Sequence, residues 1–288
     1  MTSQADDATW LSRGLRYMIA AAFFFSLMSL LVKVAGLRLP SQQIVLARSV
    51  VMAVLAYTAL HRQRIPLWGQ RRRLLLLRGL LGFAALSCFY YALVHLPLAD
   101  ATVLQYTNPV WAGLIAVFAL GERMRPRELL CIALSIAGVL LVARPAALFG
   151  GGGLDSFAVM VGLAGAVLSG SGYVTVRMLG SEHHMVVIFY FALMSSLLSL
   201  PFAAVHSVVP TAWEWLVLLG VGVTTHIGQV FMTRGLRLER AGRATAAALV
   251  QIVFAGIWGA LVFAQWPDAR GLAGAALVIT GVLLLGRS

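Results

Sequence analysis

Long apolar runs separated by short polar stretches make up most of the chain. Almost all of these runs have roughly 16 to 23 residues, enough to cross a hydrocarbon core of about 30 Å as a helix. Helices are required because lipid offers no hydrogen-bond partner to backbone N–H and C=O groups. We therefore predict ten transmembrane helices, at residues 15–35, 42–60, 74–94, 101–120, 129–143, 157–179, 185–206, 213–233, 244–264 and 271–286.

The second half of this pattern repeats the first after a shift of about 143 positions. Thr102 aligns with Thr245, and Gly138 with Gly281, without a gap. Five helices per half is an odd number, so the second half must cross the membrane upside down. The loop charges agree, because the loop after the second run is rich in Arg and its counterpart after the seventh has no Lys or Arg.

These patterns predict an all-α polytopic membrane protein whose ten transmembrane helices form two inverted five-helix repeats. The predicted divisions are a cytoplasmic N-terminal tail at 1–14, a first repeat at 15–145, a Gly-rich linker at 146–156 and a second repeat at 157–288.

Composition and charge agree with a membrane location. The chain is 60% hydrophobic and 11% charged, whereas soluble domains carry about 25% charged residues. Of the 22 Lys and Arg residues, seventeen fall on the side that holds both termini, and Arg78 is counted among them. Arg48 lies within a span, and the other side has only Lys33, Arg38, Arg144 and Arg270. We predict cytoplasmic termini and an inner-membrane location. This orientation signal explains the net charge of +12, and nucleic acid is not an expected partner.

Polar and aromatic side chains inside the spans are the candidates for a central cavity between the halves. The fourth span places polar groups three residues apart, and its mirror in the ninth span also keeps a polar stripe. The predicted cavity residues are Ser26, Tyr90, Gln105, Tyr106, Asn108, Trp111, Tyr173, His226, Gln229, Gln251 and Trp258. Pro109 removes a backbone donor in mid-span and is the candidate kink or gate. Helix-to-helix hydrogen bonding, worth about 0.6 to 2 kcal/mol, is the alternative reading of each stripe.

Arg48 is interpreted as the only Arg or Lys well inside a span. It is a possible contact for a substrate carboxylate, or it reaches to the outer headgroups. All ten acidic residues lie in tails, loops or span ends, so His226 alone is left to carry a coupling proton. We therefore expect facilitative or exchange-type transport. No metal site or cofactor motif is predicted.

The motifs Leu98-Ala99-Asp100-Ala101, Asn108-Pro109-Val110-Trp111 and Leu120-Gly121-Glu122 resemble the EamA-type repeat of the drug/metabolite transporter superfamily. The resemblance covers almost the whole chain, although Gln265 and Ile252 replace Glu122 and Pro109 in the second copy. The resemblance implies a ten-helix carrier that works by alternating access. The members that look most like this chain include bacterial exporters of aromatic and other neutral amino acids.

We therefore expect an exporter of amino acids, aromatic or neutral, and of related small metabolites. Its partners would be a small-molecule substrate and the bilayer. The sequence does not fix the oligomeric state and is compatible with a monomer. The alternative is a proton-coupled drug transporter or a carrier of lipid-linked or phosphorylated metabolites, disfavoured here because no Lys or Arg cluster is expected in the cavity. A membrane-embedded enzyme is more remote, since neither paired mid-span carboxylates nor a His-Glu-x-x-His motif occurs.

Overall fold

A computed structural model describes residues 11–96, 103–123, 125–143, 155–263 and 269–286. This part of the chain is helical and has no strand. The helices are α1 Arg13–Ala35, α2 Ser41–Arg62, α3 Arg72–His95, α4 Asn108–Leu120, α5 Pro126–Ala143, α6 Ser156–Met178, α7 His184–His206, α8 Ala212–Leu238, α9 Ala241–Ala248, α10 Gln251–Phe263 and α11 Ala269–Gly286. Most of the predicted tail and linker lies outside the described residues.

The prediction of ten spans in two repeats is confirmed. Each predicted run coincides with a helical segment, and the fourth and ninth runs are each interrupted once. Eight of the described segments are long and apolar enough to cross a membrane, and the tenth run forms a shorter apolar helix at Ala269–Leu284. The ninth span consists of α9 followed by α10.

Helices of one repeat pack mainly against helices of the other. Helix α1 packs along α8, and α3 packs along α6. Exchanging the two halves turns the first of these pairs into the second, because α1 corresponds to α6 and α3 to α8. Helices α2 and α7, and likewise α5 and α11, are counterparts that pack against each other. This arrangement is that of an inverted pair related by a pseudo-twofold axis.

Repeat-equivalent glycines allow α5 and α11 to approach closely. A Cβ atom at Gly138 would meet the backbone of α11 at Gly274, and one at Gly281 would lie 2.9 Å from the carbonyl oxygen of Cys131. Small residues at such crossings let helix backbones touch in a membrane, where apolar side chains gain nothing from leaving lipid.

The two interrupted spans break at equivalent places. Residues 106–107 form a turn before α4, and residues 249–250 form a turn before α10. Asn108 begins α4 and Gln251 begins α10, so each break is followed at once by a side-chain amide. Discontinuous helices near the membrane midplane are a recurring feature of transporter binding sites.

The chain produces the two breaks in different ways. In the first copy Pro109 has no N–H group, so the helical hydrogen bond that would bridge the break cannot form. In the second copy Ile252 donates to the carbonyl of Leu249, only three residues earlier, at 3.1 Å. The second break therefore persists without a proline.

The helix connections divide between two faces of the protein. The arginine-rich face joins α2 to α3, α4 to α5, α6 to α7 and α8 to α9. The opposite face joins α1 to α2 and α7 to α8.

Candidate functional site

A cavity of about 670 Å³ lies between the two repeats. This volume falls within the roughly 300–1,000 Å³ of typical small-molecule sites. Exposed Lys33 near the end of α1 lines one side of the cavity, so the cavity reaches the surface toward the opposite face. Buried residues of α3 and α6 line the end toward the arginine-rich face.

Most of the residues that the sequence singled out meet in this cavity. They come from seven helices and from the short segment before α4. Those that line it are Ser26, Arg48, Tyr90, Gln105, Tyr106, Asn108, Tyr173, Gln229, Gln251 and Trp258.

Three of the predicted residues do not line the cavity. His226 is buried in α8, but its neighbours Thr225 and Gln229 face the cavity instead. Trp111 lies one turn into α4, and its indole N–H donates to Thr107 Oγ1 at 3.2 Å. Pro109 is buried at the start of α4, next to the break. The helix rotation, which apolar patterning leaves open, explains the misplaced His226 and Trp111.

Two repeat-equivalent serines join the halves at the cavity wall. Ser26 on α1 accepts a hydrogen bond from the indole N–H of Trp258 at 2.9 Å. Ser169 on α6 accepts one from the amide of Gln105, also at 2.9 Å. Each donor belongs to the interrupted span of the other repeat, so the two bonds tie each broken span to the facing half.

Aromatic rings supply much of the remaining wall. Phe25, Phe89 and Phe191 line the cavity beside the tyrosines and Trp258. Trp258 also packs behind the wall against Phe23, with ring centroids 5.9 Å apart. Flat apolar surfaces next to amides and hydroxyls suit a ligand that has both a flat part and polar ends.

Arg78 corrects the interpretation that Arg48 is alone inside the spans. Arg78 lies on α3, faces the cavity and is 4% exposed, while Arg48 on α2 is 6% exposed. The sequence groups Arg78 with the loop charges because it follows Arg71 to Arg73, yet it falls inside the apolar run 74–94. That position was the signal for a buried arginine. With Lys33, three basic residues line the cavity, so its wall holds more positive charge than the sequence analysis assigned to it.

The described lining residues include no Asp or Glu. Because none of them is a carboxylate, the wall offers Arg48 and Arg78 no counter-ion of its own. Within the described residues, no three His, Cys, Asp or Glu side chains form a group that could hold a metal ion.

Ion pairs between the repeats close the arginine-rich face. Glu122, at the end of α4, pairs with Arg177 on α6, and Arg177 also donates to the carbonyls of Leu236 and Glu239. Glu122 further accepts the backbone N–H of Ala241 at 3.2 Å, at the start of α9. One carboxylate thus fastens α4 to two elements of the second repeat.

Two further carboxylates strengthen this closure. Glu128 on α5 pairs with Arg240, just before α9, and is almost fully buried. Glu182 accepts the backbone N–H of Arg71 at 2.5 Å, and Arg237 donates to the carbonyl of Leu179 at 2.9 Å. The described loops of this face are therefore interlocked below the cavity.

The opposite face has a lighter connection. Arg38 pairs with Glu214 at 2.5 Å, and the Arg38 side chain is 47% exposed. Gln43 exchanges two hydrogen bonds with the backbone of Val208, at 2.7 and 3.0 Å. The structure therefore shows the cavity closed at the arginine-rich face and reaching the surface toward the opposite face.

Comparison with known proteins identifies this architecture. The model of the EamA-like transporter family matches residues 12–144 and 156–287, one match for each repeat. The chain belongs to the EamA-like transporter family. A solved protein structure shares the EamA fold with a TM-score of 0.81, at 20% identity over 95% of this chain and 96% of that one.

Several characterised transporters are similar to this EamA protein along most of its length. The pseudopaline exporter CntI of Pseudomonas aeruginosa is 35% identical, covering 96% of this chain and 97% of the exporter. Human solute carrier family 35 member G1 is 29% identical, covering 92% of this chain and 76% of the carrier. The S-adenosylmethionine uptake transporter of Rickettsia felis is 23% identical, covering 73% and 70%. This EamA protein is a multi-pass membrane transporter of small metabolites.

Proposed function

We propose that the protein is a facilitative exporter of amino acids, aromatic or neutral, and of related small metabolites across a bacterial inner membrane. The single observation that carries this proposal is the cavity of about 670 Å³ between the inverted repeats, with amides, hydroxyls and aromatic rings in its wall. Flat side chains of a cargo would stack on the rings, and its polar backbone groups would bond the amides. The similarity to the pseudopaline exporter favours export.

Alternating access follows from the symmetry of the fold. The observed state is closed at the arginine-rich face, which we place in the cytoplasm on the basis of its positive charge. Rocking one repeat against the other would break those ion pairs and close the cavity at the other side, since the inverted halves can exchange conformations. A facilitative mechanism is favoured because the described cavity lining has no Asp or Glu to carry a coupling proton, and His226 does not line it.

Counterflow in proteoliposomes tests this proposal. Vesicles loaded with unlabelled tryptophan should accumulate labelled tryptophan through the purified full-length protein without an imposed pH difference. Failure with every amino acid tested would overturn the amino-acid cargo. Dependence on a proton gradient would overturn only the facilitative mechanism.

The two amides that follow the helix breaks supply the site variants. Asn108→Leu or Gln251→Leu should slow counterflow at least tenfold, because each removes a polar contact from the cavity. Gln63→Leu is the matched control, since Gln63 is an exposed amide at the end of α2 outside the cavity. Normal counterflow by both cavity variants would mean that their amides only stabilise helix packing.

A further inference from the structure

Two buried guanidinium groups lie in the cavity without a protein carboxylate. The Nε atoms of both Arg48 and Arg78 have no hydrogen-bond partner. A buried cation normally pairs with an anion, because removing its hydration is costly in a medium of low dielectric constant. An anionic ligand in the cavity would offset this cost.

The contacts that these side chains do make leave their polar edges available. Arg78 stacks over the ring of Phe191, with its guanidinium carbon 4.4 Å from the ring centroid. Stacking occupies the face of the guanidinium and leaves its in-plane N–H groups free to bond a ligand. Arg48 contacts the sulfur of Met28 at 3.8 Å, and a thioether is only a weak acceptor. Neither contact replaces a carboxylate.

The two arginines lie toward opposite ends of the cavity. Arg48 is seven residues from the start of α2 at the opposite face, and Arg78 is six residues from the start of α3 at the arginine-rich face. At 1.5 Å per residue their Cα atoms lie about 10 Å and about 9 Å from those two ends. The 22 residues of α2 are about 33 Å long, so the Cα atoms differ in depth by roughly 13 Å. This separation in depth favours two anionic groups, one for each guanidinium, over a single shared carboxylate.

This pair of charges is not repeated in the second half. The counterpart of Arg48 after the shift of about 143 residues is Phe191, and the counterpart of Arg78 is Val221. Arg48 in the first repeat and Phe191 in the second are therefore equivalent positions, and Phe191 is the ring on which Arg78 stacks. The result is an asymmetric site with two positive positions and aromatic rings in the same wall.

We infer that the cavity binds an amino-acid-like metabolite with at least two carboxylate groups at opposite ends, one held by Arg48 and the other by Arg78. This inference rests on the proposed function and specifies a cargo among its related small metabolites. Lys33 at the mouth would attract such an anion. Two separated single guanidiniums fit two carboxylates better than one phosphate, which typically gathers several donors at one point.

Ligand-induced thermal stabilisation of the full-length protein in detergent tests the inference. The probes are N-succinyl-L-phenylalanine and N-adipoyl-L-phenylalanine, which carry two carboxylates, and N-butyryl-L-phenylalanine, which lacks the distal one. At least one dicarboxylate should bind about 10- to 150-fold more tightly than the monocarboxylate, the effect of one additional charge-assisted contact. Equal binding, or stronger binding of phenyl phosphate, would overturn the inference.

Variants assign the two contacts. Arg48→Gln and Arg78→Gln should each lower dicarboxylate affinity to about that of the monocarboxylate, and the Arg→Lys variants should give intermediate values. Neither Gln variant should melt below the wild type without ligand, because each removes an unpaired buried charge. If a Gln variant does not fold, the Lys variant and the wild-type probe series still decide. Dicarboxylate binding unchanged in all four variants would contradict the assignment.

The outcome also separates this inference from the proposed function. Tryptophan counterflow without preferential dicarboxylate binding would overturn only the two-carboxylate cargo. Tight dicarboxylate binding with no counterflow of either tryptophan or the dicarboxylate would contradict the transport proposal and leave the binding site standing.

Discussion

Neutralising Glu122 should open the arginine-rich face. Glu122 belongs to the first repeat and Arg177 to the second, so their ion pair must separate whenever the cavity opens to this side. The substitution Glu122→Gln keeps the shape of the side chain and removes its charge. The sequence itself has Gln265 at the equivalent position of the second copy.

The size of the effect follows from how exposed the pair is. The side chains of Arg177 and Glu122 are 23% and 12% exposed, so the pair lies between a surface and a buried one. Breaking a pair costs about 0.2–1 kcal/mol at the surface and about 3–5 kcal/mol in the interior. Arg177 would keep its carbonyl partners on α8 and after it. We therefore expect the substitution to destabilise the closed form by about 1–2 kcal/mol, which shifts the equilibrium roughly 5- to 30-fold toward the form open at the arginine-rich face.

Thiol labelling measures this shift. A cysteine at Gly172 reports from the deep end of the cavity, where an added Cβ would meet no atom closer than 3.9 Å. The native Cys88 and Cys131 are first replaced. A membrane-impermeant maleimide added at the arginine-rich face should label the Glu122→Gln protein about 5- to 30-fold faster than its parent. Glu214→Gln, at the other face, should not raise this rate, and an unchanged rate in Glu122→Gln would refute the reasoning.

Two stability predictions concern other parts of the fold. Gly138→Ala should destabilise the protein by about 1 kcal/mol. The cost of overpacking against α11, about 1–3 kcal/mol, exceeds the gain of about 0.5–1 kcal/mol from replacing a helical glycine by alanine. The control is Gly256→Ala, which has open space around it and should raise the melting temperature in the same assay. Burial, with Arg237 and Arg234 nearby, lowers the pKa of His183, whose ring caps α7. The stability that the neutral His183 ring contributes is therefore fully present above pH 6.5 and is lost as pH falls through the lowered pKa. His183→Asn should reduce the fall in melting temperature that occurs on acidification.

The spans and their inverted pairing could be predicted from sequence because both depend on one-dimensional patterns. Apolar run length reports the membrane crossing, and loop charge reports the orientation of each half. The first helix break was also predictable from Pro109. The second break follows Leu249 and has no proline, so only the alignment of the copies could have indicated it.

The direction in which each side chain points could not be predicted as well. A helix in lipid is apolar on most of its surface, so the pattern does not fix its rotation. His226 and Thr225 differ by about 100° around α8, and the structure turns Thr225 to the cavity. Arg78 was missed because a cluster of loop arginines precedes it, although its place one and a half turns into α3 puts it at the cavity.

A reversible crosslink between the repeats tests the central claim that cargo moves through the cavity as the two halves rock. Cysteines replace Glu122 and Arg177 in a background without Cys88 and Cys131, and a reducible bis-thiosulfonate joins them across the arginine-rich face. Tryptophan counterflow in proteoliposomes should stop on crosslinking and return on reduction, while either single-cysteine variant stays active under the same treatment. Full counterflow by the crosslinked protein would contradict alternating access through this cavity.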